Sequence, residues 1–414
     1  MPIELWQQIL NSLQFVDSIR LIQVCKEFYN KLEIYDLYDY NSKLSDEILY
    51  NYPLIKKLHI PWNNRITTIK HLTRLESLDV SMGYKNIEQN FEDNELQCMN
   101  LKYLNVSGNS KIINVNHMTN LKVLHAINNS GIDNFGISKL TNLVELHACS
   151  NLKITNVNLL SNLEILYASG NAGLSDVGIS SLVNLTRLCS FNNFKITNVN
   201  HMTNLKVLDA SSCGINDNGI NNCSITKLNL QDNTNVTNIN HLTMLKQLNA
   251  SDESSLIDDG ILITSLTKLN LNNNNQITNI NHLTNLKSLS LVGYCVIQND
   301  GISQINPHKL NLSRNNTIFK ISHLTNLRKL TISTQCKLPI NELIGLTLIE
   351  LNINHNKKMR KHVNNMTSLR ILRAYKTGLS NKNIKKLRLK ELYISEKENI
   401  VVDQLINTQV FFHG

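Results

Sequence analysis

Leucines recur along most of the chain at a fixed spacing, in the frame L-x-x-L-x-L-x-x-N, with alanine or isoleucine often at the third apolar site. The frame stands as Leu101, Leu104, Val106 and Asn109, again as Leu121, Leu124, Ala126 and Asn129, and again as Leu143, Leu146, Ala148 and Asn151. It continues from Leu163 to Asn171, Leu185 to Asn193, Ile225 to Asn233, Leu266 to Asn274 and Leu348 to Asn356. With weaker copies, about seventeen fall between Ile55 and Leu389, nearly all 20 to 22 residues apart. The interval from Leu75 to Leu101 is longer and predicts an inserted loop near Tyr84–Glu95.

Alternation at Leu, x, Leu predicts a short strand with its apolar residues on one face. A single such strand cannot bury its leucines, so neighbours must stack in parallel and share a continuous core. The asparagine stands where the chain leaves the strand, and its amide both donates and accepts, so stacked copies can satisfy the backbone groups freed there. Where Cys213, Glu253, Tyr294, Gln335, Thr377 or Lys397 takes that place, the ladder is expected to be weaker. Seventeen strands at the usual sheet spacing give an arc of roughly 80 Å.

The segments between strands alternate. One kind reads ITNVNHMTNL or ITNINHLTNL, and the other GI-x-x-x-GI or its DDGI and NDGI relatives. About 42 residues therefore form a double unit, as in an array extended by duplication. Each return segment is too short for a long helix, which predicts turns and 3₁₀ pieces.

The first forty residues follow a different rule. Leu5, Ile9 and Leu13 lie four apart on one helical face, and Pro2 sits where a missing N–H costs nothing. Asp17 is placed to cap a second helix whose apolar stripe is Leu21, Val24 and Phe28. A core this small needs a partner or a neighbouring domain.

Composition changes the picture in four respects. The chain of 414 residues contains 64 asparagines, an abundance that also occurs in low-complexity disorder, but regularly spaced leucines run through it. The eight cysteines are scattered without a CxxC pair, which fits buried reduced thiols in a cytosolic or nuclear protein. No apolar run is long enough to span a membrane, and the first residues lack the basic lead-in of a secretory signal. The net charge of +9 is local: residues 357–390 hold twelve Lys or Arg and no acid, leaving the remainder at −3.

The repeat resembles the leucine-rich repeat over roughly 350 residues. The opening P-x-E-L-x-x-x-I-L-x-x-L, with Asp17 four residues on and V-C-K-x-aromatic at Val24–Phe28, resembles the F-box over about 35 residues. It departs from that pattern at Met1, where leucine is usual, and at Phe28, where tryptophan is commoner. The Asn, Ile and Lys bias resembles members of this pairing from protists and from large DNA viruses of amoebae; for a viral member, residence would be the host cytoplasm. The expected fold is α/β: a leucine-rich-repeat solenoid of parallel strands preceded by a small helical module. The expected boundaries are residues 1–40 for the F-box-like module, 41–54 for a linker or cap, 55–400 for the repeats and 401–414 for a C-terminal cap.

The resemblance implies a substrate receptor of a cullin-based ubiquitin ligase, with no catalytic residue and no cofactor. It places Pro2, Leu5, Ile9, Leu10, Leu13, Val24, Cys25 and Phe28 at a Skp-type adaptor, some of them in internal packing. An amphipathic cap on a ligase-independent scaffold would use similar apolar faces.

For the target, the outward strand positions are informative. Between Lys227 and Ser333 they are nearly all Lys, Asn, Ser, Gln and Thr, a solvated surface. In earlier repeats Tyr103, Val123, His125, Ile127, His147, Cys149, Ile165, Tyr167, Cys189 and Phe191 form an apolar and aromatic block with Glu145 and Arg187 among them. Exposed patches of this kind mark contact surfaces. Arg373, Tyr375, Glu391 and Tyr393 form a second cluster within the basic region, whose charge would also attract acidic proteins or nucleic-acid phosphates, although no nucleic-acid motif accompanies it.

His71, His117, His201, His241, His282 and His323 recur at one place in the repeat. Copies about 10 Å apart cannot share a zinc whose ligands sit at about 2.1 Å, so these read as turn or capping residues and no metal is expected.

Overall fold

The computed structural model describes all residues except 1, 11, 14, 23, 26–32, 41, 83–90, 335, 397, 399, 402–407 and 414. Phe28, Gln335, Lys397 and most of the expected loop at 84–95 lie outside the described residues, as does much of the expected C-terminal cap. The chain forms two compact units, Met1–Leu205 and Lys206–Gly414.

The first unit opens with α1 (Ile3–Leu10) and α2 (Phe15–Ile22). Eight strands follow: β1 (Asp36–Tyr38), β2 (Lys57–His59), β3 (Ser77–Asp79), β4 (Tyr103–Asn105), β5 (Val123–His125), β6 (Glu145–His147), β7 (Ile165–Tyr167) and β8 (Arg187–Cys189). Each pairs in parallel with the next, and the central leucine of one faces that of its neighbour, from Leu37 opposite Leu58 to Leu166 opposite Leu188. These leucines are fully buried and form the spine of the core.

The second unit repeats the arrangement in β9 (Val207–Asp209), β10 (Lys227–Asn229), β11 (Gln247–Asn249), β12 (Lys268–Asn270), β13 (Ser288–Ser290), β14 (Lys309–Asn311), β15 (Lys329–Thr331), β16 (Glu350–Asn352), β17 (Ile371–Arg373), β18 (Glu391–Ser395) and β19 (Gln409–His413). All are parallel, with leucine again opposite leucine until Val410 faces Leu392.

Strands thus begin before residue 55 in the first unit and extend past residue 400 in the second. The first copy escapes the leucine frame because Asp39 occupies its third apolar site. Asp39 is buried, yet it accepts from the backbone N–H of Leu44 at 2.6 Å and from Asn63 Nδ2 at 3.1 Å. A satisfied acid there costs far less than an unpaired one.

The return segments are single turns, as their length predicts. Four-residue α-turns occupy Asn134–Ile137 and Asp176–Ile179, and 3₁₀ turns occupy Asp217–Ile220, Asp258–Gly260 and Asn299–Ile302. Each begins at an Asp or Asn whose side chain reaches the next coil. Asp176, for example, accepts from the backbone N–H of Thr197 at 2.7 Å and of Asn198 at 3.1 Å, and from the Thr197 hydroxyl at 2.6 Å. Asp217 and Asp258 do the same to Thr237 and Thr278. The 42-residue double period is therefore a physical clamp between two kinds of coil.

The asparagine ladder has the same double period, which corrects the expectation of an amide in every turn. Asn151, Asn193, Asn233, Asn274 and Asn315 are buried, and each donates from Nδ2 to a carbonyl of the preceding coil, at Ala126, Ala168, Ala210, Ala250 and Leu291. Asn129 and Asn171 point to solvent instead, and the buried residues of their turns are Ser130 and Ala172. Glu253 and Tyr294 are also exposed, beside buried Ser254 and Cys295. Cys213 and Thr377 are buried and donate within their own turns, to Ala210 O and Ala374 O.

All eight cysteines are free, but only Cys213, Cys223 and Cys295 are buried, fewer than the composition suggested. Burial pushes the Cys295 thiol up to about 11, so it stays protonated and donates to Leu271 O at 3.0 Å. No helix among the described residues is long and apolar enough to cross a membrane.

Candidate interaction surfaces

The amino-terminal helices carry the first surface. On α1, Leu5 is 45% and Ile9 37% exposed, whereas Leu10 is 1% exposed and packs internally. Of these positions on α1, the structure therefore leaves Leu5 and Ile9 accessible and Leu10 enclosed. Pro2, Val24 and Cys25 are exposed, and Leu13, just beyond α1, is half-buried. Gln7 fixes α1 to the chain leading into β1: its amide donates to Glu33 O at 2.6 Å and accepts from Glu33 N at 3.0 Å. Asp17 lies inside the first turn of α2 and pairs with Arg20 at 3.3 Å, so it is not the cap expected from sequence; the helix starts two residues earlier.

The second surface is the open face of β1–β8. The register puts Tyr38, His59, Asp79, Asn105, His125, His147, Tyr167 and Cys189 in one column. Successive strands lie close enough for their rings to touch. Tyr38 stacks on His59 with centroids 4.6 Å apart, Tyr103 leans on His125 at 5.2 Å, His125 meets His147 at 3.8 Å and His147 stacks on Tyr167 at 4.2 Å. Glu145 Oε1 lies 2.6 Å from His147 Nε2. Val123, Ile127, Cys149, Ile165 and Cys189 are half-buried around the column, and Arg187 and Phe191 are exposed at its end.

Burial and the neighbouring His147 together hold the His125 imidazole down to about 4, and burial lifts the Tyr103 phenol to about 12. Both therefore present neutral groups at neutral pH. Asp79 is mostly enclosed, which opposes its charge, but the His59 ring 3.9 Å away and hydrogen bonding from Ser81 prevail and hold its carboxyl below the usual range.

Tyr38, His59 and Asp79 were not among the residues picked from sequence. His59 occupies the outward place of the copy that starts at Ile55 and was legible there; Tyr38 was hidden because β1 falls in the segment read as helical.

On the second unit, β10–β15 show the polar face expected, cross-linked laterally: Asn249 donates to Asn229 at 2.8 Å, and Asn229 to Asp209 at 2.9 Å. Near the end, the Arg373 guanidinium lies 3.8 Å from the centre of the Tyr393 ring, and Tyr393 stacks on Phe411 at 4.6 Å. Glu350 accepts from both Lys329 at 2.7 Å and Arg373 at 3.3 Å. Tyr375 stands apart from that stack, against His355 at 5.3 Å.

The basic segment does not present one uniform face. Arg373 is engaged on the strands, Arg360 donates to Thr377 O and Arg370 to Leu369 O, while Lys382, Lys385 and Lys386 are exposed on the return side. The six periodic histidines do cap turns: His117 Nε2 lies 2.7 Å from Leu96 O, and His282 Nε2 2.7 Å from Ile261 O.

Residues 1–40 match the F-box domain family. In fold, the chain is similar to a leucine-rich-repeat protein of Leptospira interrogans, with a TM-score of 0.57 at 21% identity, over 89% of this chain and 99% of that one. An internalin of Listeria monocytogenes aligns over 90% of each chain at 19% identity, with a TM-score of 0.33. No curated protein matches the chain in sequence. The chain thus joins a segment that matches the F-box domain, residues 1–40, to parallel strands with the leucine-rich-repeat fold.

Proposed function

We propose that this protein is a target receptor of a cullin-based ubiquitin ligase, in which residues 1–40 dock on a Skp-type adaptor and the ring-lined face of β1–β8 holds the target. The observation that carries the reading is the joining of an F-box to parallel strands whose outward positions hold rings in the first unit and amides in the second. Leu5, Ile9 and Val24 leave apolar area in water at the F-box, which favours a partner there. The target surface would be Tyr103, His125, Ile127, His147, Tyr167, Arg187 and Phe191. Tyr375 could extend recognition in the second unit, while Arg373 and Tyr393 are largely occupied by Glu350, Phe411 and each other.

Catalysis in such an assembly belongs to other subunits; this chain positions the target. A ligase reconstituted with adaptor, cullin and this protein should attach ubiquitin to a protein captured by the repeats. Capture of the same protein without any adaptor association would instead favour a free-standing scaffold.

A further inference from the structure

One cluster in the ring column has a chemistry that target recognition does not require. His125 on β5 is paired in register with His147 on β6, so their side chains leave the sheet side by side. Glu145 precedes His147 by two residues and therefore leaves from the same face. The outcome is a triangle: one nitrogen from each imidazole and one carboxylate oxygen all lie within 4.8 Å of one another. This is the arrangement that a strand pair offers a metal ion, with two ligands at i and i+2 and a third directly across the ladder.

We infer that His125, Glu145 and His147 form a binding site for a divalent transition-metal ion of the zinc class. Two imidazoles and one carboxylate favour zinc over magnesium or calcium, which prefer oxygen-only shells. Ligand atoms around zinc stand at about 2.0–2.1 Å from the metal, so three atoms already this close need only small side-chain rotations to converge. Tyr103 against His125 and Tyr167 against His147 brace the rings from either side. The site opens on the free face of the sheet, with His147 18% and Glu145 27% exposed, which leaves a coordination position for water or an incoming side chain. The periodic histidines are different in kind, since their Nε2 atoms are turned onto backbone carbonyls of the preceding coil.

The inference does not depend on the ligase reading and is tested without a target. The full chain, carrying no added histidine tag, is stripped with a chelator and dialysed against zinc chloride, and bound metal is measured per chain. One equivalent is expected for the native sequence. Glu145→Gln, which keeps the side chain's shape, should weaken uptake by about tenfold or more. His125→Asn with His147→Asn should abolish it, while His241→Asn should leave it unchanged. Far-UV circular dichroism and the melting temperature identify any variant that fails to fold, and Glu145→Gln then decides alone. Less than one equivalent on the native chain, or full-strength uptake by Glu145→Gln, overturns the assignment.

Discussion

Asn193 donates through Nδ2 to the carbonyl oxygen of Ala168, 2.9 Å away in the preceding coil. The same amide reaches Leu174 O at 3.2 Å, while its Oδ1 accepts from the backbone N–H of Lys195 at 3.0 Å. One side chain thus satisfies buried groups of two successive coils, in a place where the preceding coil contributes only Ala172 to the interior. A small residue in one turn lets the amide of the next reach across, and this complementarity is why the two kinds of coil alternate.

Asn193→Ala should therefore be costly, because it strands buried carbonyl and N–H groups together. A loss of about 3 kcal/mol is expected, at 1–3 kcal/mol for each unsatisfied group. Asn171→Ala, at the same place in the leucine frame but exposed, should change stability by less than about 0.5 kcal/mol. Urea denaturation of the two variants makes the comparison; equal losses would contradict the double-coil ladder.

Gly178 marks a close approach of neighbouring coils. A Cβ built there would lie 2.0 Å from the carbonyl oxygen of Thr155, which is backbone and cannot swing aside. Gly178→Ala is expected to destabilise the first unit by about 3 kcal/mol, as overpacking does. The measurement is the midpoint of chemical unfolding, and an unshifted midpoint would show that the coils can separate freely.

Glu350 gives the second unit an acid-sensitive contact. Burial opposes its charge, but Lys329 and Arg373 outweigh that and hold its carboxyl below the usual range. Because the folded value is the lower one, the contribution is complete above the unfolded carboxyl value of about 4.3 and is lost as pH falls through the folded value. Glu350→Gln should accordingly reduce stability at neutral pH and make little difference once the native residue is protonated. Denaturation midpoints across that acid range check the convergence; parallel curves would remove Glu350 from the account.

On the ring-lined face, Tyr167→Ala with Phe191→Ala should abolish capture of the target while leaving adaptor binding and melting temperature close to native. Affinity capture from the protein's own cell followed by mass spectrometry reads both. Survival of every captured partner would place recognition on another surface.

The spacing of leucines made the strands, their parallel order and the short returns legible, because each copy needs its neighbours to bury Leu104, Leu124 or Leu146. Two things escaped it. The frame could not tell Asn109 from Asn129, since burial of the amide depends on the size of the residue in the adjacent coil rather than on its own position. Nor did it reveal β1, where Asp39 replaces the expected apolar residue and is stabilised by donors from Leu44 and Asn63. At the amino terminus, helical spacing found the apolar positions but could not separate exposed Leu5 and Ile9 from buried Leu10, because burial there depends on what packs against α1 and not on the spacing.

The most direct test of the receptor reading is the affinity of the full chain for a purified Skp-type adaptor, compared with Leu5→Asp combined with Ile9→Asp. Both residues are exposed, so the repeats should fold as before, with unchanged far-UV circular dichroism. Stoichiometric binding by the native chain and its loss in the double variant is the predicted result. No binding by the native chain, or equal binding by both, would contradict it.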